Sequence, residues 1–371
     1  MKKIQKIKPW LLIGYAILAL VLAACNGAQK NIPGKREVTD MAGRIMLVPD
    51  TIRNVYMNKP GSLLLYAIAP DLAVCRSLWL NKTALPYMDS AYIALPYTDD
   101  SVEEIVKLQP DIIINYFSVN EQSVDQADML AEKTGIPVYM VEMDMTAYPK
   151  TFNSLGKLLN REQQTKRMNV FVRTYLDTIS ARVAKIPEES KVKVYYAEGD
   201  CGLQTDPSGS FHSQVIDFVG AKNVAQVSSL PEKGMSNVSM EQILLWDPDV
   251  VLCWTGWGKS VTTYQCINND KVWQSLRALK NGKMYQIPYV PYGWFDRPPG
   301  TNRIIGTVWT AKLLYPDIFP YDIKKVTREY FNIFYHIALS DEQLEEVLNP
   351  VPEGLLSSGG QMNMDKPEQM K

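Results

Sequence analysis

Histidine is nearly absent, with two in 371 residues, His212 and His336. So few imidazoles exclude the His-rich clusters that grip a bare transition metal. An excess of either charge is lacking too. Lys and Arg number 39 against 40 Asp and Glu, a net charge of −1. The chain therefore has neither the basic field that nucleic acid requires nor an acidic tail. Five cysteines occur, at spacings that match no zinc pattern. No apolar run is long enough for a transmembrane helix. The one sustained apolar stretch, Leu11–Leu22, is too short and wrongly flanked.

That stretch has another meaning. Lys2, Lys3, Lys6 and Lys8 precede it and Leu22-Ala23-Ala24-Cys25 follows, the charged, apolar and small-residue order of an export leader. The last four residues look like a bacterial lipobox. Residues 1–24 then read as a lipoprotein signal peptide and Cys25 as the lipidated first residue of a periplasmic, membrane-anchored protein. Each buried methylene of such an anchor contributes about 0.8 kcal/mol. Asn26 follows the cysteine, which leaves inner and outer membrane both open. Residues 25–36 read as a flexible tether. Residues 350–371, rich in Gly, Ser, Pro, Met and Gln, read as a disordered tail. The compartment permits disulfides among Cys75, Cys201, Cys253 and Cys266. Cys253 and Cys266 are the nearest pair, but spacing sets no connectivity, and buried free thiols are an equal reading.

The length implies two domains, and an internal repeat agrees. Ser101–Ile114 reads SVEEIVKLQPDIII and Ser239–Leu252 reads SMEQILLWDPDVVL, at a constant offset of 138. Each copy predicts a capping box (Ser101 with Glu104, Ser239 with Gln242). An apolar helical face follows: Ile105, Val106 and Leu108, then Ile243, Leu244 and Trp246. Pro110 and Pro248 stop the helices, and Asp111–Ile114 and Asp249–Leu252 read as buried parallel strands. Further strands are expected at Ile52–Tyr56, Val138–Val141, Val192–Tyr196 and Lys283–Ile287. Residues 162–185 carry a 3.6-residue period that predicts one helix of about 35 Å. The fold class is α/β: two Rossmann-like lobes with parallel central sheets, one long interdomain helix and a ligand cleft between the lobes. The expected division is an N-terminal lobe at 37–150 and a backbone helix at 151–187. A C-terminal lobe at 188–349 carries closing helices at Asp322–Tyr335 and Asp341–Leu348.

Over Arg36–Leu348 the chain resembles class III, helical-backbone periplasmic substrate-binding proteins of ABC importers, the family that serves iron-siderophore, haem and cobalamin uptake. The phrases that carry this are VTDMAGRIMLVPDTIRNVYMNKPGSLLLYAIA, the S-x-E-x-I…L-x-P-D repeat and SQVIDFVGAKNVA, together with the lipobox. GWFDR, Gly293–Arg297, resembles a segment of the cobalamin-binding member. PPGTNRIIGTVWTAKLLYPDIF is similar to members that bind iron complexes and to some that bind molybdate or tungstate. Met235 departs from the cobalamin-binding member, which places a stacking Trp there. The resemblance implies capture of an iron-siderophore-type metal chelate, with cobalamin, haem or molybdate/tungstate as alternatives. It implies delivery to a permease dimer with its ATPase subunits, by a monomer with no cofactor, no direct metal ligand and no catalysis. It also implies that Glu103 and Glu241 dock into arginine pockets of the two permease subunits. At helix N-termini the same carboxylates complement the macrodipole.

A cleft binder draws on loops at the carboxyl ends of strands in both lobes. In the first lobe these supply Asn58 and Lys59, and Tyr97 falls where the cobalamin-binding member has a ligand-stacking Trp. In the second, Asp206–His212 is a small-residue loop opening a helix. Its Ser208, Ser210, Phe211 and His212, with free backbone N–H groups, suit an anionic ligand group; the same loop also reads as a turn and cap. His212 reads as a ligand contact or as a hydrogen-bonded structural residue. Trp257, Trp294 and Phe295 offer aromatic surface, and Arg297 and Arg303 offer bidentate forks. Trp254 and Trp309 read as core. The competing reading is an enzyme, a chelatase or hydrolase using Ser210 and His212. Those two lie two residues apart with no third orienting group.

Overall fold

The computed structural model describes residues 32–80, 82–228, 234–254 and 262–349. Cys25, the leader, the disordered-tail reading and Trp257 lie outside them.

The strands expected on either side of the repeat form two separate parallel sheets. In the first lobe β3 (Val55–Met57), β4 (Ile112–Phe117) and β5 (Val138–Glu142) lie in the order β3-β4-β5. In the second, β6 (Lys193–Ala197), β8 (Lys222–Asn223), β10 (Val250–Cys253) and β11 (Met284–Gln286) lie in the order β11-β10-β6-β8. β4 and β10 are the repeat strands. Their apolar residues are buried on both faces except Phe117 at the end of β4, as parallel sheets covered by helices require. A hairpin of β1 (Lys35–Thr39) and β2 (Ile45–Pro49) precedes the first sheet, so the expected tether ends before Lys35. A short ribbon of β7 (Gln204–Thr205) and β9 (Ser236–Asn237) caps the second lobe.

The repeat has a geometric reason. Asp111 Oδ2 accepts the backbone N–H groups of Arg53 and Asn54 at 2.7 and 2.9 Å. Its counterpart Asp249 accepts that of Lys193 at 2.9 Å. Each aspartate thus ties the start of its own strand to the neighbouring one. The helices run Val102–Leu108 and Met240–Trp246, and each ends on a left-handed residue, Gln109 or Asp247, just before the proline. The second copy forms the predicted capping box. The first does not. Asp99 Oδ1 takes the Ser101 N–H at 3.0 Å, the donor a box would have given to Glu104, and Glu104 faces Lys107 instead.

The predicted rod is real but shorter and interrupted. It runs Glu162–Val172, a π turn at Arg173–Asp177, then Thr178–Val183. Thr174 and Thr178 Oγ1 donate to the carbonyls four residues back, at 2.8 and 2.7 Å, a competition that loosens the α ladder there. Residues 151–159 are not part of it. They belong to a separate helix, Tyr148–Leu159, which ends on left-handed Asn160, with Arg161 capping the rod.

The closing helices reach across the lobes. Ile323–Phe334 packs on the helix Asn302–Leu314, on the rod and on the first-lobe helix Ser62–Ile68, and Asp341–Leu348 packs on it in turn. Tyr66 Oη donates to the Tyr335 carbonyl, and Tyr87 Oη to Glu346 at 2.7 Å. The apolar face of the first of these helices, including Tyr330, Phe331 and Phe334, meets Phe171, Phe152 and Tyr87 in edge-on and tilted ring contacts. That aromatic layer leaves little choice of partner.

Cys201 and Cys266 form a disulfide that closes a separation of 65 residues, and Cys75 and Cys253 are buried free thiols. The bridge ties the turn after β6 to the helix Thr263–Asn269. A loop of that length is stabilised by about 4 kcal/mol in the chain-entropy picture. Urea unfolding of the Cys201→Ser/Cys266→Ser protein should show that loss; an unchanged midpoint would refute it.

Candidate functional site

The carboxyl ends of both sheets bring most of the expected site residues toward one region, but several are committed elsewhere. Asn58 is a correction. It is buried, and its amide bonds the backbone of Tyr116 in both directions, at 3.3 and 3.0 Å, which locks the β3 turn to β4. Lys59 is exposed beside it, and its N–H bonds Asp100 Oδ2 at 3.0 Å. Tyr97 is 38% exposed and meets Trp79, 49% exposed, edge to face at 5.8 Å. Lys59, Trp79 and Tyr97 are thus exposed side chains of the first lobe.

Trp294 and Phe295 are not cleft surface. Trp294 is fully enclosed and Phe295 packs on Tyr196. The helix Asn302–Leu314 crosses so close that a Cβ on Gly306 would lie 1.9 Å from the Trp294 carbonyl oxygen, so only glycine fits there. Arg303 is also withdrawn from ligand contact. It is buried at the floor between the lobes, where it donates to Met143 O at 2.6 Å, to Gln214 Oε1 at 2.8 Å and to Tyr116 Oη at 3.4 Å. Gln214 in turn donates to Asp144 Oδ2 at 2.7 Å. Arg303 is thus part of an interlobe joint. Trp254 and Trp309, read as core, are half-buried.

The loop Asp206–His212 is largely bonded within itself and to its own helix. Three of its N–H groups are taken: Gly209 on Asp217, Ser210 on Pro207 and His212 on Ser210 Oγ. Ser208 donates to Asp217 at 2.8 Å and Ser210 to Asp206 at 3.2 Å. Phe211 is half-buried against the His212 ring, with centroids 3.9 Å apart.

What the second lobe builds instead is a buried charge cluster. Arg297 reaches Glu198 Oε1 at 3.0 Å and Asp206 Oδ2 at 3.6 Å, and its Nε lies 3.3 Å from Asp296 Oδ2. Its guanidinium also covers the Trp254 ring at 5.6 Å. Asp296 accepts Tyr196 Oη at 2.8 Å and lies 2.6 Å from His212 Nδ1. His212 Nε2 and Glu198 Oε2 are buried without a partner. Gly234 closes the cluster at a φ of +62°, and a Cβ there would meet Asp206 Oδ2 at 2.4 Å.

Three carboxylates thus surround one guanidinium, and burial comes first, with the surplus negative charge second, in setting the titration. Burial, then Asp296 and Asp206, push the Glu198 carboxyl well above the ordinary glutamate range. Burial lowers the Arg297 guanidinium, but Asp296, Tyr196 and Glu198 more than offset that and raise it. Burial and Asp296 likewise raise the Tyr196 phenol. Among the described residues no three His, Cys, Asp or Glu side chains are arranged to hold a metal ion. The carboxylates turn onto Arg297, Tyr196 and His212 instead.

Glu198, Asp296, Trp79 and Gln214 escaped sequence reasoning. An acid ending the apolar run Val194–Ala197 was the available signal for Glu198, and Asp296 sits inside GWFDR. Glu103 and Glu241 are exposed on the two repeat helices.

Two parallel-sheet lobes joined by a helical rod are the architecture of a two-lobed solute-binding protein. A family model described as periplasmic binding protein matches residues 60–291, and the chain belongs to that family. An ABC transporter solute binding protein from Sulfurospirillum deleyianum is 30% identical, with a TM-score of 0.77, over 84% of this chain and 98% of that one. The molybdate-binding protein MolA of Haemophilus influenzae is 25% identical over 334 residues, 81% of this chain and 91% of that protein. The haem uptake protein IsdE of Staphylococcus aureus is 22% identical over 284 residues, 75% of this chain and 88% of that protein. No described helix is long and apolar enough to cross a membrane.

Proposed function

We propose that this chain is the substrate-binding lipoprotein of an ABC importer, anchored through Cys25, that closes its lobes on an iron-siderophore-type metal chelate. The observation that carries the ligand class is the pairing of walls. The first lobe presents exposed aromatic surface, Trp79 and Tyr97. The second presents Arg297 already neutralised by Glu198, Asp206 and Asp296. A compact, strongly hydrated dianion needs unspent donors; a broad chelate gains from aromatic area. Delivery then uses Glu103 and Glu241, one per lobe, against the two permease subunits.

Molybdate is the second reading, favoured by the likeness to MolA. Tryptophan fluorescence titration against ferric siderophores, cobalamin, haem and molybdate separates the two. Submicromolar quenching by a ferric siderophore is expected. Quenching by molybdate alone would replace the chelate reading while keeping the importer.

A further inference from the structure

The two repeat helices match residue for residue, yet their outward faces differ. In both, an isoleucine points inward, Ile105 or Ile243, and is buried. The residues three and four past each exposed glutamate lie beside it on the helix surface. Beside Glu103 these are Val106 and Lys107, and Lys107 lies 3.7 Å from Glu104. Beside Glu241 they are Leu244, 39% exposed, and Leu245, 84% exposed. The second-lobe core does not use these leucines; this helix enters it through Ile243, Met240 and Trp246.

A lone exposed leucine is ordinary on a protein surface. Two in succession, next to a carboxylate on a helix fixed at both ends, make a contact surface. Ser239 and Gln242 close the capping box at 3.1 and 3.2 Å, and Arg277 holds Asp247 at 3.1 Å. The backbone N–H of Glu241 and the Ser239 hydroxyl keep the Glu241 carboxyl below the ordinary glutamate range, so the face is anionic. A second copy docked here about a two-fold axis would set Glu241 against Glu241, and an anionic lipid surface would be repelled as well. The occupant that fits brings a cation set beside apolar surface.

We infer that Glu241, Leu244 and Leu245 dock as one unit on the permease subunit that takes the second lobe, where an apolar rim surrounds the cation, and that the first lobe does not fit that place. This rests on the importer reading above and adds an orientation to it. In the reversed placement Lys107 stands where Leu245 belongs, and its ammonium would be buried against apolar surface.

The test measures docking of the full protein on the cognate permease with its ATPase in nanodiscs, by surface plasmon resonance. Wild type is compared with Leu245→Lys, Leu245→Met and the double Glu103→Arg/Glu241→Arg variant. Leu245→Lys puts the first-lobe residue in the second-lobe place. It is expected to weaken docking at least about tenfold, the loss of one buried leucine contact. Leu245→Met should stay within about twofold of wild type. The exposure of Leu245 means that both single variants should melt as wild type does. Leu245→Lys docking within about twofold of wild type, or Leu245→Met weakened as much as Leu245→Lys, would overturn the apolar rim. If the double variant still loses docking in that case, the importer reading stands without the rim. If neither Leu245→Lys nor the double variant changes docking, the docking glutamates and the rim fall together. Sedimentation of wild type as a dimer that Leu245→Lys disperses would give the face to a second copy and overturn the inference.

Discussion

Replacing Arg297 with alanine is expected to destabilise the second lobe by about 3–5 kcal/mol, because removing one partner leaves buried charge uncompensated. Glu198, Asp206 and Asp296 are all at most 1% exposed, and Arg297 is their shared cation. Solvent cannot take over that role. Chemical denaturation with circular dichroism measures the loss; a change under about 1 kcal/mol would mean the cluster is neutral without the arginine. The pH dependence gives a second signature. The folded state raises the Glu198 pKa, so it binds the proton more tightly than the unfolded chain. That contribution is complete below the ordinary glutamate value and is lost as pH rises through the folded one. Wild type should therefore lose stability toward alkaline pH relative to Glu198→Gln, which carries no proton to release. Parallel curves for the two proteins would show that Glu198 stays ionised.

The second large effect is expected in transport. Reversing both Glu103 and Glu241 to arginine should abolish cargo uptake through the cognate permease while leaving cargo affinity unchanged. Both carboxylates are exposed, at the first turns of helices that repeat at an offset of 138. Like charges brought together at an interface are strongly rejected. Uptake in proteoliposomes holding the permease and ATPase reads the effect, and tryptophan quenching reads the affinity. Uptake within about twofold of wild type would remove these residues from docking. The repeat is not perfect at this surface. Val106 and Leu244 are matched and both exposed, but Lys107 corresponds to Leu245, which is 84% exposed. The two lobes therefore present similar but distinguishable faces.

Much of the architecture was readable because it rests on local rules. The proline after each repeat helix, the aspartate after it and the aliphatic run that follows each act within a few residues. Their consequences appear in both lobes at matched positions. The rod showed itself by its period, although the π turn did not, since threonine back-bonding leaves the apolar spacing almost unchanged. The first capping box failed for a non-obvious reason: Asp99, two residues upstream, reached the donor first.

The site was much less legible. Trp294 and Phe295 are aromatic like Trp79, and only packing separates them: the helix carrying Gly306 closes over Trp294, while Trp79 stays 49% exposed beside Tyr97. Arg303 and Arg297 are both arginines six residues apart, yet one joins the lobes and the other sits among carboxylates. The disulfide partner of Cys266 lies 65 residues away rather than 13.

Patterning along the chain was enough for the strand-and-helix content and the duplication into two α/β lobes, because period, capping and helix-stopping signals are short-range; the family came from the resemblance of particular motifs. The charged cluster, the interlobe joint, the return of the last helices to the first lobe and the exposed Trp79–Tyr97 pair were settled only by three-dimensional packing. Each joins side chains that are distant in the chain, and whether an aromatic or an arginine faces solvent or core depends on which distant segment covers it.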